Sequence, residues 1–217
     1  MVSRASLFAV CSFLIVTAVA VATPIPVMNP SFETLPSGGL PDGCAGTGCA
    51  FSVAAIPGWT NTGSSGQFHP GSNTLYFNFI PDGVTVAYSN DVGGTITQGV
   101  GTVAASTTYT LMVDLGHRND GFFSLGTVQL LIGGTPITAT GATPTSGNWS
   151  TFTAVYNSVP ADVGKALTIQ LKANGLQSDF DNVRLDAVAI PEPVITTLVG
   201  LGLAVLSVVS RKRACCS

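Results

Sequence analysis

Few side chains in this chain could do chemistry, and they fall into small groups. His117-Arg118-Asn119-Asp120 follows a strongly alternating segment and puts an imidazole, a guanidinium and a carboxylate within four positions. With Tyr88, these residues could offer donors and an acceptor to the hydroxyls of a sugar-like ligand. The same turn also reads as a solvated loop with an Arg118–Asp120 surface pair worth little, and that reading is the favoured one. Glycoside hydrolysis needs two carboxylates, one of them held protonated. Between residues 23 and 189 there is a single Glu, and the Asp residues fall mostly in turns. No Gly-x-Ser-x-Gly elbow, Ser-x-x-Lys or His-Glu-x-x-His occurs. The glycines suit turns rather than a phosphate loop. On these signals the chain is expected not to be an enzyme.

Cys44 and Cys49 are the only cysteines between residues 23 and 189. Outside the cytoplasm they are expected to be bridged. The loop they would close is small, so the entropic gain is about 2 kcal/mol, and the bridge would mainly shape a Gly-rich loop. Zinc is not expected, because His69 and His117 lie too far along the chain to complete a recognisable tetrahedral set.

The elements that must carry these groups lie between two unusual ends. Arg4 precedes an apolar stretch from Ala5 to Val19, and Ala20-Val21-Ala22 is a small-residue cleavage pattern. Residues 1–22 therefore read as a signal peptide. At the other end Pro191-Glu192-Pro193 precedes an uncharged run from Val194 to Ser210, and Arg211-Lys212-Arg213 follows it. As a helix this run would span about 26 Å, at the short edge of what crosses a hydrocarbon core, with the basic cluster on the cytoplasmic side.

This tail, residues 190–217, resembles the sorting signal of PEP-CTERM proteins. The resemblance implies an exosortase as partner and a transient anchor in the inner membrane through segment 194–210. It implies delivery to the cell envelope or beyond, in association with exopolysaccharide. Cys215 and Cys216, beyond the basic cluster, depart from that pattern.

Residues 23–189 read as one acidic β-domain. Ten acids face four cations, Arg118, Lys165, Lys172 and Arg184, which argues against a nucleic-acid partner. Apolar and polar residues alternate in many short runs separated by turn signals such as Pro81-Asp82-Gly83, Asn119-Asp120-Gly121 and Gly133-Gly134. The clearest strand is Thr107 to Leu115, with Tyr109, Leu111, Val113 and Leu115 on one face. Further strands are expected at Ile25–Met28, Thr74–Phe79, Thr85–Ser89, Gly94–Val100, Gly126–Ile132, Thr135–Thr140, Trp149–Asn157, Ala166–Ala173 and Asn182–Val188. Leu35 to Ser72 is expected to be the least ordered stretch. The fold class is all-β, a jelly-roll sandwich, flanked by the signal peptide and a hydrophobic sorting helix. Trp59 and Trp149 are expected to pack into a core rather than to stack on sugars.

Asn29-Pro30-Ser31-Phe32-Glu33, Ile56-Pro57-Gly58-Trp59 and Phe180-Asp181-Asn182-Val183-Arg184-Leu185 resemble, in order and spacing, the galactose-binding-domain-like jelly rolls that include many carbohydrate-binding modules. The resemblance implies a structural calcium ion held by Glu33 and Asp181, a chemically sensible pair of hard oxygen donors. The alternative is a surface Glu33 and an Asp181 that hydrogen-bonds a turn. The expected function is an exported surface or matrix protein that binds glycan without catalysis. The alternatives are a purely structural or adhesive protein and, more distantly, a secreted glycan-active enzyme.

Overall fold

The computed structural model describes residues 21–71 and 74–190. The expected signal peptide falls almost wholly, and the sorting motif and apolar tail wholly, outside the described residues. Within them the strands run in chain order as β1 (Ala22–Ile25), β2 (Asp42–Gly43), β3 (Ala50–Ser52), β4 (Thr60–Thr62), β5 (Ser65–His69), β6 (Val86–Asn90) and β7 (Thr95–Thr102). They continue as β8 (Thr107–Gly116), β9 (Thr127–Ile132), β10 (Thr135–Thr138), β11 (Trp149–Asn157), β12 (Ala166–Lys172) and β13 (Gln177–Ala189). The only helix among the described residues is a 3-10 turn at Pro160–Asp162.

All the strand pairs are antiparallel. One sheet has the order β11-β8-β13-β6-β5-β3-β2, with β1 added beside β13. The other has the order β10-β9-β12-β7-β4. Alternation explains how they meet. Leu111, Val113 and Leu115 of β8 point inward with Phe152 and Ala154 of β11. They meet Val128, Leu130 and Ile132 of β9 and Leu167, Ile169 and Leu171 of β12. The two apolar faces close one core between the sheets, as a sandwich requires.

β13 joins the two ends of the domain. Its first residues pair with β6, its last with β1, and its other edge with β8. A bulge falls between Asp181 and Arg184, where Asn182 takes a left-handed φ of 51°. The bulge has a packing reason. Phe180, Val183 and Leu185 all belong to the core, and the odd spacing from 180 to 183 would turn one of them outward in a regular strand. One inserted residue restores the inward face.

Two sequence expectations are corrected. Thr74 to Phe79 forms no strand: its backbone bonds to other loops, with Asn119 N donating to Tyr76 O and Asn78 N to Gly147 O. Its apolar pattern reflects Tyr76 and Phe77 buried against the outer face of the large sheet. The stretch from Leu35 to Ser72 holds β2, β3, β4 and β5. These strands were illegible because Ser65, Gly66 and Gln67 are small or polar yet buried. Tertiary contacts require that choice. A Cβ on Gly66 would stand 1.8 Å from the Ser52 carbonyl oxygen on the neighbouring strand. Gly66→Ala is expected to cost about 3 kcal/mol, read as a lower urea midpoint with an unchanged slope.

Candidate functional site

The outer face of the large sheet carries a second, smaller apolar cluster, made of Cys49, Phe68, Tyr76, Phe77, Val86 and Tyr88. The loop from residue 74 to 85 covers it and is held by carboxylates. Glu33 Oε1 accepts from Val84 N at 2.8 Å and Thr85 N at 2.7 Å. Asp181 accepts from Asp82 N at 3.0 Å and Asn182 N at 2.7 Å, and Ser31 donates to Asp82. Glu33 and Asp181, the pair expected to hold calcium, thus converge on one turn and act there as acceptors for backbone amides. Among the described residues no three His, Cys, Asp or Glu side chains gather as a metal set.

Beside this loop lies a cavity of about 160 Å³. Phe51, Phe68, Tyr76 and Tyr88 give it aromatic walls, and Cys44, Asn90, Arg118 and Gln177 complete the lining. A larger groove of about 460 Å³ elsewhere, lined by Met28, Thr60, Thr97 and Gln98 among others, has no titratable side chain in its lining. The floor of the cavity is a piece of ladder. Gln177 lies opposite Asn90, and Asp179 lies opposite Tyr88. Strand alternation puts Gln177 and Asp179 on one face, as it does Tyr88 and Asn90. Cross-strand neighbours on one face stand within side-chain reach.

Arg118 closes one side. Its guanidinium carbon lies 4.5 Å from the centroid of the Tyr76 ring and 5.4 Å from that of Phe68. Its Nε donates to Asp120 Oδ1 at 3.0 Å, and its Nη2 is paired with Asp120 Oδ2. Its Nη1 donates to Gln177 Oε1 at 2.7 Å. The Gln177 amide is therefore turned so that its Nε2 donates to Asp179 Oδ1 at 2.7 Å. This hydrogen-bonded line ends at Asp179 Oδ2, which is buried without a partner. The wall opposite is the Cys44–Cys49 disulfide loop, where Ala45 O accepts from the Tyr76 hydroxyl at 2.9 Å.

Burial dominates the electrostatics. It pushes the Asp179 carboxyl up to about 7, with Gln177 and Arg118 pulling weakly the other way. Burial, with Asp82 and Asp114 adding to it, raises Asp181 to about 8. Tyr88 is driven to about 12 by burial and by the nearby Asp42 and Asp179. A buried carboxyl that keeps its proton up to about pH 7, on the rung opposite Tyr88, is suited to proton delivery.

Of the residues expected at a ligand-facing edge, the fold brings Tyr88 and Arg118 to the cavity and sets Asp120 behind Arg118. His117 goes elsewhere: its ring stacks on Phe123 at 3.8 Å and its Nδ1 meets Pro144 O at 2.9 Å. The favoured solvated-turn reading does not hold, since the Arg118 side chain is only 11% exposed. Asp179, Gln177 and Asn90 were missed. Two of them sit in alternating positions of β13, ahead of the strand expected at Asn182–Val188. Trp59 is buried against Phe32, and Trp149 packs on Phe77.

A family model described as HpiC1-like, HpiC1 cyclase, matches residues 23–186. A crystal structure of a cyclase from Fischerella sp. TAU is 26% identical, with a TM-score of 0.63, over 80% of this chain and 100% of that one. The apo form of a cyclase from Fischerella sp. is 25% identical, with a TM-score of 0.64, over 79% and 98%. The CBM22-1 xylan-binding domain of Paenibacillus barcinonensis Xyn10C is 13% identical, with a TM-score of 0.46, over 80% and 100%, too loose a likeness to bear on function. No curated protein sequence matches the chain. The cyclase matches overturn the expectation of a non-catalytic, glycan-associated surface protein and the expectation that the chain is not an enzyme. Sequence motifs register local spacing, and a lone carboxyl whose pKa is raised by burial leaves none.

The raised carboxyls set a pH dependence. Below about 4 they are protonated in both folded and unfolded chains. From about 4 to about 7 for Asp179, and to about 8 for Asp181, only the unfolded chain ionises. Stability from these groups is therefore full below pH 4 and is lost as pH rises through that window. The melting temperature is expected to fall from pH 5 to pH 8, and Asp179→Asn to flatten the fall. An unaltered slope in that variant would show that Asp179 ionises freely in the fold.

Proposed function

We propose that this chain, which belongs to the HpiC1-like cyclase family, closes a ring in a small unsaturated substrate, with Asp179 as the acid. The observation that carries the proposal is the Asp179 carboxyl itself. One of its oxygens is held by Gln177, which lines the cavity, the other is unpartnered, and the residue lies opposite Tyr88 of the aromatic wall. The cavity is smaller than the roughly 300–1,000 Å³ of pockets that enclose drug-sized ligands. It therefore takes a compact substrate or one end of a longer one.

The reaction class balances without a co-reactant. Asp179 gives its proton to one carbon of an alkene, and the neighbouring carbon becomes cationic. A second π bond of the same molecule attacks that carbon and forms the ring bond. Loss of a proton to the Asp179 carboxylate restores the acid, and the product is an isomer of the substrate. The rings of Tyr76, Tyr88, Phe68 and Phe51 offer their electron-rich faces to the passing cation. Arg118 and Gln177 keep the carboxyl oriented, and exclusion of water keeps the cation from being quenched. Export and sorting through residues 1–22 and 190–217, with an exosortase as handling partner, belong to the same proposal. The Cys44–Cys49 bridge supports an oxidising compartment for the folded domain.

The test is a panel of compact apolar dienes and alkenyl-substituted aromatics in D2O. A product of unchanged composition carrying one solvent deuterium is expected. Asp179→Asn is expected to lower the rate by about 10²-fold or more. Ring products without deuterium, formed equally well by Asp179→Asn, would remove Asp179 from the chemistry.

A further inference from the structure

The catalytic reading concerns how the cavity reacts; its lining also states what it will accept. Two buried oxygens on the ladder beneath it, Asn90 Oδ1 and Asp179 Oδ2, have no hydrogen-bond partner. They belong to neighbouring rungs, Asn90 opposite Gln177 and Asp179 opposite Tyr88. A buried polar atom left unpaired costs about 1–3 kcal/mol, so two side by side in one site need an explanation. Of the four such side-chain atoms among the described residues, Asn90 Oδ1 alone belongs to a lining residue; Asp179 lies one rung away, and Gln67 Oε1 and Ser89 Oγ are outside the lining.

The charges around the cavity point the same way. Arg118 is the one cation in the lining, and its edge is engaged. Asp120 takes two of its donors and Gln177 a third, while Tyr76 and Phe68 lie against its face. An arriving anion would find no unengaged cation there and would approach the Asp120 carboxylate that already neutralises Arg118. A donor group would find the Asn90 oxygen, and a positive charge would find the faces of Tyr76 and Tyr88.

We propose that the cavity selects neutral or cationic ligands that carry an N–H or O–H donor, which is received by Asn90 Oδ1, and that it rejects anions. This rests on the cavity being the reaction site, and it adds a specificity-determining residue, Asn90, that takes no part in moving the proton. It follows that the ring-closing substrate has two ends. An unsaturated end lies over Asp179, and a donor end is anchored at Asn90.

The experiment is saturation-transfer NMR on the purified full chain with four probes: phenol, anisole, benzylamine and benzoate. Phenol is expected to bind about tenfold more tightly than anisole, the worth of one buried hydrogen bond. Benzylamine is expected to bind and benzoate to give no signal. Asn90→Leu and Asn90→Ala should make phenol and anisole equal while leaving the melting temperature near that of the wild type. Equal binding of phenol and anisole by the wild-type protein, or a preference that survives both variants, overturns the donor site and leaves the catalytic reading standing. Binding of benzoate overturns the rejection of anions. Failure of all four probes to bind overturns both readings of the cavity.

Discussion

β13 is the strand on which the rest of the structure depends, because it has to be buried on both faces while carrying three carboxylates. Its inner side gives Phe180, Val183 and Leu185 to the core. Its outer side shows Asp179 and Asp181, each no more than 1% exposed. Taking carboxyls out of water is costly unless they stay neutral or find partners. The fold uses both solutions. Asp181 and Asp114 accept hydrogen bonds from backbone amides and from Thr151 and Asn182. Asp179 keeps one oxygen unpaired and holds its proton up to about pH 7. The covered outer face exists only because Glu33, Ser31 and Asp181 pin the 82–85 turn over it.

That cover separates this domain from an open sandwich face. A bare sheet of Thr, Asp and Arg would suit contact with a hydrated polymer. Once the 74–85 loop lays Tyr76 and Phe77 over Val86 and Tyr88, the same surface becomes a small pocket with aromatic walls. Arg118 is the connecting part. It lies against Tyr76, is neutralised by Asp120, and reaches Gln177. Loop position, ring packing and carboxyl orientation are thereby coupled through one side chain.

The similarity to cyclases and the pocket chemistry arise from different observations and point to the same kind of activity. The chain belongs to a family described as HpiC1-like cyclases, and ring closure is the reaction class proposed from that membership. The buried carboxyl says how a protein with no nucleophile–base pair at this site could bring it about. The looser likeness to a xylan-binding module concerns the shape of the sandwich, which hosts unrelated functions.

Much of the sandwich was legible in the residues. Period-two alternation in Thr107–Leu115, Gly126–Ile132, Trp149–Asn157 and Ala166–Ala173 placed its central strands to within a residue or two, because a half-buried strand imposes that period locally. The family resemblance carried by Asn29 to Glu33 and Phe180 to Leu185 implied that the two ends of the domain meet, as β1 and β13 do. What lay in Leu35–Ser72 could not be read, since Ser65, Gly66 and Gln67 are buried for reasons supplied by neighbouring strands. Tyr88, Arg118 and Asp120 were visible as side chains able to hold a ligand. The sequence by itself determined the central strands and some of the candidate polar groups. Only the tertiary structure decided which of those groups would lose water, because desolvation is a property of what surrounds a residue. Burial raises the pKa of Asp179, and residues distant in the chain that take away its water leave no mark on the residues beside it.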